Sequence, residues 1–475
     1  MSYRPVDNER SVICLGAAPK AWSRFLALNV ALALSLAAAC GGPSQVAPPA
    51  QATVIEATAT LAATPEPSTT PAPPPRRPDA SPFPDDLAAR ARDTLAAIAA
   101  LRGTPPRQAV DAFLLSRAQA RAYYSTDNGG GQGFGAASGL DAKNELYRLL
   151  GLIPDREQRN VEQATTDNLV SLITGFYAPE LKAFYMLDEI TGGVNGPSAR
   201  ATIAHEFVHA LQDQYHDIEA QEAQRRDDWD AMRAFQQAME GDALYFESKY
   251  LGYSARAAYR LPVCFQIPSP LRPSVPFVIE RELDTWYEDG LCFVQDVLPH
   301  LGGGVSELWQ RLPATTEQVL HPEKYLAAEP ASPVTLERLE SALGEGWSRL
   351  KQANLGEFGL QNLLVLGLTD RTRVGQAAAG WGGDAWALYT NNEGRLLYSV
   401  SVWDSSAEAR EFWLAFRQSL AGRATLPIDS AGDFFSAETA GGRMWRARLE
   451  DDRVSFLVAN DVSALDRGAA AAGLR

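Results

Sequence analysis

Hydrophobic positions along the chain fall into four regimes. From Phe25 to Ala39 the residues are mostly apolar, preceded by Arg4, Arg10, Lys20 and Arg24. From Gly41 to Pro84 no hydrophobic period is present, and Pro, Ala, Thr and Ser dominate. Helical periodicity begins near Asp85, where two acids lead into L-A-A-R-A-R-D-T-L-A-A-I-A-A-L, an acidic start that suits a helix N-terminus. Further helices are predicted after Pro105-Pro106, over 141–152, 166–173 and 201–215, from Asp227 to about Tyr250, and from Glu280 to Leu298. Between them, Phe176 to Leu187 is rich in aromatic residues around P-E-L-K and predicts a β-hairpin. The Gly-rich stretch Asn128–Gly135 lacks the G-K-[ST] ending of a phosphate loop and reads as a connection.

Pro330 to Pro333 marks a boundary. Beyond it, stretches such as L-L-Y-S-V-S-V-W and V-S-F-L-V-A read as strands, with one helix at 406–421. The expected class is α+β: a mostly helical domain with a small β-hairpin or sheet over 85–330, then a smaller α+β unit over 331–475. No internal repeat is found.

The helix expected over 201–215 carries the chemistry. It reads A-T-I-A-H-E-F-V-H-A-L-Q-D-Q-Y, with H-E-x-x-H at His205, Glu206 and His209. Residues four apart share a helix face, so both imidazoles can aim at one ion, and Glu206 can act on a ligand of that ion. The chain has 5 His in all, which makes a chance match uncommon. Apolar neighbours indicate a buried helix, where polar groups need partners. A catalytic Zn2+ keeps three protein ligands and one open position. Glu240 is the expected third ligand, on a later helix able to run back antiparallel. Asp242 is a candidate to orient a ligand histidine.

Composition narrows the rest. A formal net charge of -15 and a pI near 4.9 argue against non-specific nucleic-acid binding. The N-terminal run is shorter than the about 20 residues a spanning helix needs and reads as a secretory signal over 1–40, and 41–84 reads as an extended tether. Export leaves Cys264 and Cys292 as an even pair, able to form a disulfide or to remain buried thiols.

The ending A-A-A-C resembles the lipobox of bacterial lipoproteins, which implies lipid on Cys40; Ala37 stands where that motif prefers Leu. H-E-F-V-H with a downstream Glu resembles the gluzincin group of metallopeptidases. With E-G-D-A, T-T-E-Q-V-L-H-P-E-K-Y, G-F-Y-A-P-E-L-K-A-F-Y and G-W-G-G-D-A-W, the chain also looks like a poorly characterised family of exported bacterial proteins, many of them lipoproteins. The resemblance implies a zincin-like peptidase fold without a known substrate. In the best-known gluzincins an Asp follows the ligand Glu by four residues; here Leu244 stands there, so an orienting role passes to Asp242 or Asp213.

The expected function is a membrane-tethered, extracytoplasmic zinc peptidase acting on a peptide or protein, with Glu206 as general base. His321 is the favoured oxyanion donor, with Tyr325, Tyr177, Tyr215 and His216 as alternatives; Tyr177 and Tyr215 are also candidates for substrate contact. The competing expectations are a zincin-like scaffold lipoprotein of weak or no activity, and a binding lipoprotein whose C-terminal unit captures a ligand.

Overall fold

A computed structural model describes residues 77–125, 137–253, 264–267, 270 and 272–474. The signal run, Cys40, the tether as far as residue 76 and the Gly-rich connection lie outside these residues. Pro75–Arg475 form one compact unit, built from a helical part around a four-stranded sheet and a part around a seven-stranded sheet. The α+β class is therefore observed.

The first sheet contains β1 (Ser81–Pro82), β2 (Asp111–Leu115), β3 (Gly175–Ala178) and β4 (Ala183–Leu187), in the order β1-β2-β4-β3. β2 runs parallel to β4, and β3 pairs antiparallel with it as the edge strand. Pairing starts earlier than the sequence suggests, since Ser81 and Pro82 oppose Leu114 and Phe113. The expected helix after Pro105-Pro106 is instead a strand followed by a helix. Ser116 caps α2 (Arg117–Tyr124) in a reciprocal box with Gln119, so the helix cannot start before it. The preceding residues join the sheet, where Phe113 stacks on Tyr185.

One face of this sheet packs on α1 (Asp85–Arg102), α5 (Pro197–His216) and α7 (Trp229–Leu251), through residues such as Leu95, Phe184, Phe207 and Phe235. The other face is covered by α2 and α4 (Val161–Leu172). Pro197 opens α5 at a position where its missing N–H costs nothing.

α8 (Phe277–Val297) crosses α7 in close backbone contact. A Cβ on Gly241 would fall 2.0 Å from the Gly290 carbonyl oxygen, and one on Gly290 would fall 2.0 Å from that of Gln237. Only glycine at both positions allows this approach. Cys264 and Cys292 form a disulfide that ties the segment after α7 to α8.

The second sheet is antiparallel throughout, in the order β5-β6-β7-β11-β10-β9-β8. Its strands are Ser348–Ala353, Trp381–Thr390, Arg395–Trp403, Asp429–Ala431, Phe434–Thr439, Arg443–Glu450 and Arg453–Ala459, β5 to β11 in chain order. Helices 356–365, 371–378 and 406–421 cover one face over a Trp- and Phe-rich core, and helix 462–471 covers the other. Buried Asp230, at the start of α7, ties the two parts together. It accepts hydrogen bonds from Thr316 N and Oγ1 at 3.0 and 2.5 Å. A Cβ on Gly356, at the start of helix 356–365, would collide with its carboxylate at 1.7 Å.

Candidate metal centre

α5 presents His205 and His209 one turn apart, facing α7. Their Nε2 atoms lie 3.1 Å apart. Glu240 Oε2, from the middle of α7, lies 3.1 Å from the first and 3.4 Å from the second. A tetrahedral ion with bonds of about 2.0–2.1 Å separates its ligand atoms by about 3.3–3.4 Å. The three donor atoms therefore already stand close to the spacing of one tetrahedral face, and two nitrogens with one carboxylate oxygen suit zinc. Two imidazole nitrogens turned toward each other and toward a carboxylate are otherwise costly to bury. His205, Glu206, His209 and Glu240 are 8%, 8%, 4% and 5% exposed.

Surrounding groups fix the ring orientations. His205 Nδ1 lies 3.2 Å from Glu247 Oε2, two turns along α7 from Glu240. His209 Nδ1 lies 2.8 Å from Gln212 Oε1. The Gln212 amide donates to Met239 O at 3.0 Å and to Asp242 Oδ2 at 2.8 Å. Asp242 also receives Trp309 Nε1 at 2.8 Å and is ion-paired with Arg102 in full burial. A relay thus runs from His209 through Gln212 and Asp242 to α1. Asp242 does not touch an imidazole, and the partners that do are Glu247 and Gln212. Gln212 is legible in retrospect, because it lies three residues past His209 on the same helix. Asp213 points elsewhere, receiving the Tyr177 hydroxyl at 2.7 Å and Lys182 Nζ at 2.9 and 3.0 Å.

Glu206 faces the edge strand. Leu187 N donates to Thr174 O, so the pairing alternation turns the Tyr177 amide away from β4 and toward the outer side of this edge strand. There it donates to Glu206 Oε2 at 2.7 Å. Tyr177 therefore meets the motif through its backbone and holds one carboxylate oxygen in place.

Electrostatics follow from burial and close packing. Burial raises the Glu206 pKa, partly offset by the two histidines. Burial also opposes charge on Glu240, but His209 and His205 outweigh it and hold Glu240 down at about 2. Burial works against the His205 cation, yet Glu240 and Glu247 carry its pKa upward.

Two tyrosines not singled out by the sequence border the cluster. The Tyr287 ring, on α8, lies 6.1 Å from that of His205. Burial, then the charges of Glu240 and Glu206, raise its pKa well above the ordinary value. Tyr124, at the end of α2, is raised by burial and then by Glu206. Sequence gave no signal for either, because each reaches the site through helix packing.

The other expected donors lie apart. His321 Nε2 is 3.0 Å from Glu357 Oε2, and its second ion-pair partner is Glu323. Thr316, which begins the helix leading to His321, bonds Asp230, ten residues or about 15 Å of helix from Glu240. Tyr325 packs on Phe293. His216 stacks on Trp309 at 4.7 Å. Tyr215 donates to Pro105 O at 2.8 Å and lies under Arg107.

Among the described residues a second acidic group, Glu317, Glu329 and Asp404, could also surround a cation. Lys324 Nζ already fills it, at 2.6 to 2.8 Å from each carboxylate. Among the described residues no helix is long and apolar enough to cross a membrane.

Residues 343–469 match a family described as a domain of unknown function (DUF8575), a stretch within the C-terminal part that does not include the cluster. No curated protein matches the chain. Among solved structures, the extracellular domain of PknH from Mycobacterium tuberculosis is similar at 13% identity, over 30% of this chain and 97% of that one, with a TM-score of 0.21. A likeness at that level carries no functional argument.

Proposed function

We propose that this chain is a zinc-dependent peptidase of gluzincin-like type, tethered outside the cytoplasm through lipid on Cys40. The observation that carries the reading is the set of three mutually spaced donors, His205, His209 and Glu240, with the carboxylate of Glu206 beside them. These three residues would hold the ion. Bound zinc supplies Lewis acidity at an open position and acidifies a water.

The chain's own groups do the rest. Glu206, steadied by the Tyr177 amide, takes a proton from water and passes it to the leaving amine. Burial raises its pKa, which makes the carboxylate a stronger base than an exposed one. The hydroxyl of Tyr287, whose ring lies 6.1 Å from that of His205, is assigned as the donor to the developing oxyanion. Glu247 and the Gln212–Asp242–Arg102 relay keep both imidazoles aimed.

The direct test of the ligand set is metal content. The chain purified in zinc should carry one equivalent, and Glu240→Ala should lose most of it. Unchanged zinc in that variant would move the third ligand elsewhere. Full zinc with no cleavage of any peptide would favour the scaffold reading.

A further inference from the structure

The C-terminal part carries an open groove of about 420 Å³ that the metal centre does not use. It is lined by Arg373, Leu414, Arg417, Ala421, Ile428 and Ser430. Helix 406–421 supplies one wall, helix 371–378 supplies Arg373, and β8 with the residue before it supplies Ile428 and Ser430. Three features set it apart.

Its arginines are uncommitted. Arg349, Arg395, Arg410, Arg443, Arg446 and Arg448 of the same part are each ion-paired. Among the described residues, no ion pair or side-chain hydrogen bond engages the guanidinium of Arg373 or Arg417. Arg453 and Arg467 of this part are likewise unpaired among the described residues, but Arg373 and Arg417 are the two that line this groove, so it carries two free guanidinium groups in a chain of net charge -15.

The floor between them is aliphatic and partly exposed. Leu414 is 40% exposed, and Ile428 beside it is half-buried against the core.

The groove also ends on an open sheet edge. β8 is the terminal strand of the sheet, and all three of its residues are exposed. Side chains alternate along a strand, so if Ser430 faces the groove, Asp429 and Ala431 face away from it. The neighbouring Asp433 is neutralised by Arg410.

We propose that this groove docks an extended acidic peptide segment. Its backbone would add beside β8, its carboxylates would meet Arg373 and Arg417, and an aliphatic side chain would lie between Leu414 and Ile428. Charge complementarity selects an acidic partner, and the strand edge selects a peptide over a lipid headgroup. The proposal does not depend on the peptidase reading, because it is read out by binding.

The test is fluorescence anisotropy with the full chain and a labelled peptide of alternating Glu and Leu. A Lys and Leu peptide of equal length and phosphatidylglycerol vesicles serve as comparisons. The Glu peptide should bind, the Lys peptide should not, and Arg373→Glu with Arg417→Glu should weaken binding by about tenfold or more. Arg417→Gln alone should give a smaller loss, with the melting temperature of each variant unchanged. No binding of the Glu peptide, equal binding by the double variant, or preferential capture of the vesicles would each overturn the proposal.

Discussion

Glu247 accepts from Nδ1 of His205 at 3.2 Å, from the same helix that brings Glu240 to its Nε2 at 3.1 Å. One helix thus supplies both the carboxylate proposed as a metal ligand and the carboxylate that meets the far side of the same imidazole. Glu247→Gln keeps the shape but removes the charge. It should weaken zinc binding by about 10–100-fold, measured by competition with a chelating dye. Affinity equal to that of the parent would show that Glu247 does not orient His205.

The glycine pair between α7 and α8 places Tyr287 over His205. Gly290→Ala puts a methyl 2.0 Å from the Gln237 carbonyl oxygen, so the helices must separate. A loss of at least about 1–3 kcal/mol is expected in denaturant unfolding. Tyr287 moves with α8, so turnover should fall further than stability alone explains. An unaltered unfolding midpoint would contradict the contact.

Tyr287→Phe removes only a hydroxyl. As the oxyanion donor it should lower kcat by about 10²–10³-fold, with zinc content retained and KM little changed. If turnover is unaffected, Tyr124 becomes the group to test.

Asp230 links pH to stability. Burial pushes its folded pKa up to about 8, against an ordinary value of 3.8. A raised carboxyl pKa means the folded state holds the proton longer. Its contribution is complete below about pH 4 and is lost as pH rises through about 8. Asp230→Asn should therefore flatten the decline in stability between those values, read from melting temperatures across the range. A decline equally steep in the variant would remove Asp230 as its source.

The parts of this protein legible in sequence are those with local signatures. H-E-x-x-H needs only helical spacing, and the aromatic hairpin around P-E-L-K and the helix at 406–421 were set by period and flanking residues. Glu240 could be singled out because a carboxylate among small and apolar neighbours is uncommon. Tyr287 and Glu247 depend on how α8 and α5 cross α7, and the α7–α8 crossing rests on a glycine pair 49 residues apart in the chain. The scarcity of histidine points to His321 but says nothing about direction, and its ring faces Glu357. Strand β2 reads as helix in the sequence because the boundary at Ser116 shows only in its reciprocal box with Gln119.

The central claim is that Glu206 performs proton transfer at a zinc site held by His205, His209 and Glu240. Its most direct measurement is peptide-pool cleavage, followed by mass spectrometry, for the zinc-loaded chain and for Glu206→Gln at matched zinc content. The expected result is cleavage by the parent and its loss by several orders of magnitude in the variant, with zinc retained in both. Cleavage that persists undiminished in zinc-loaded Glu206→Gln would contradict the claim.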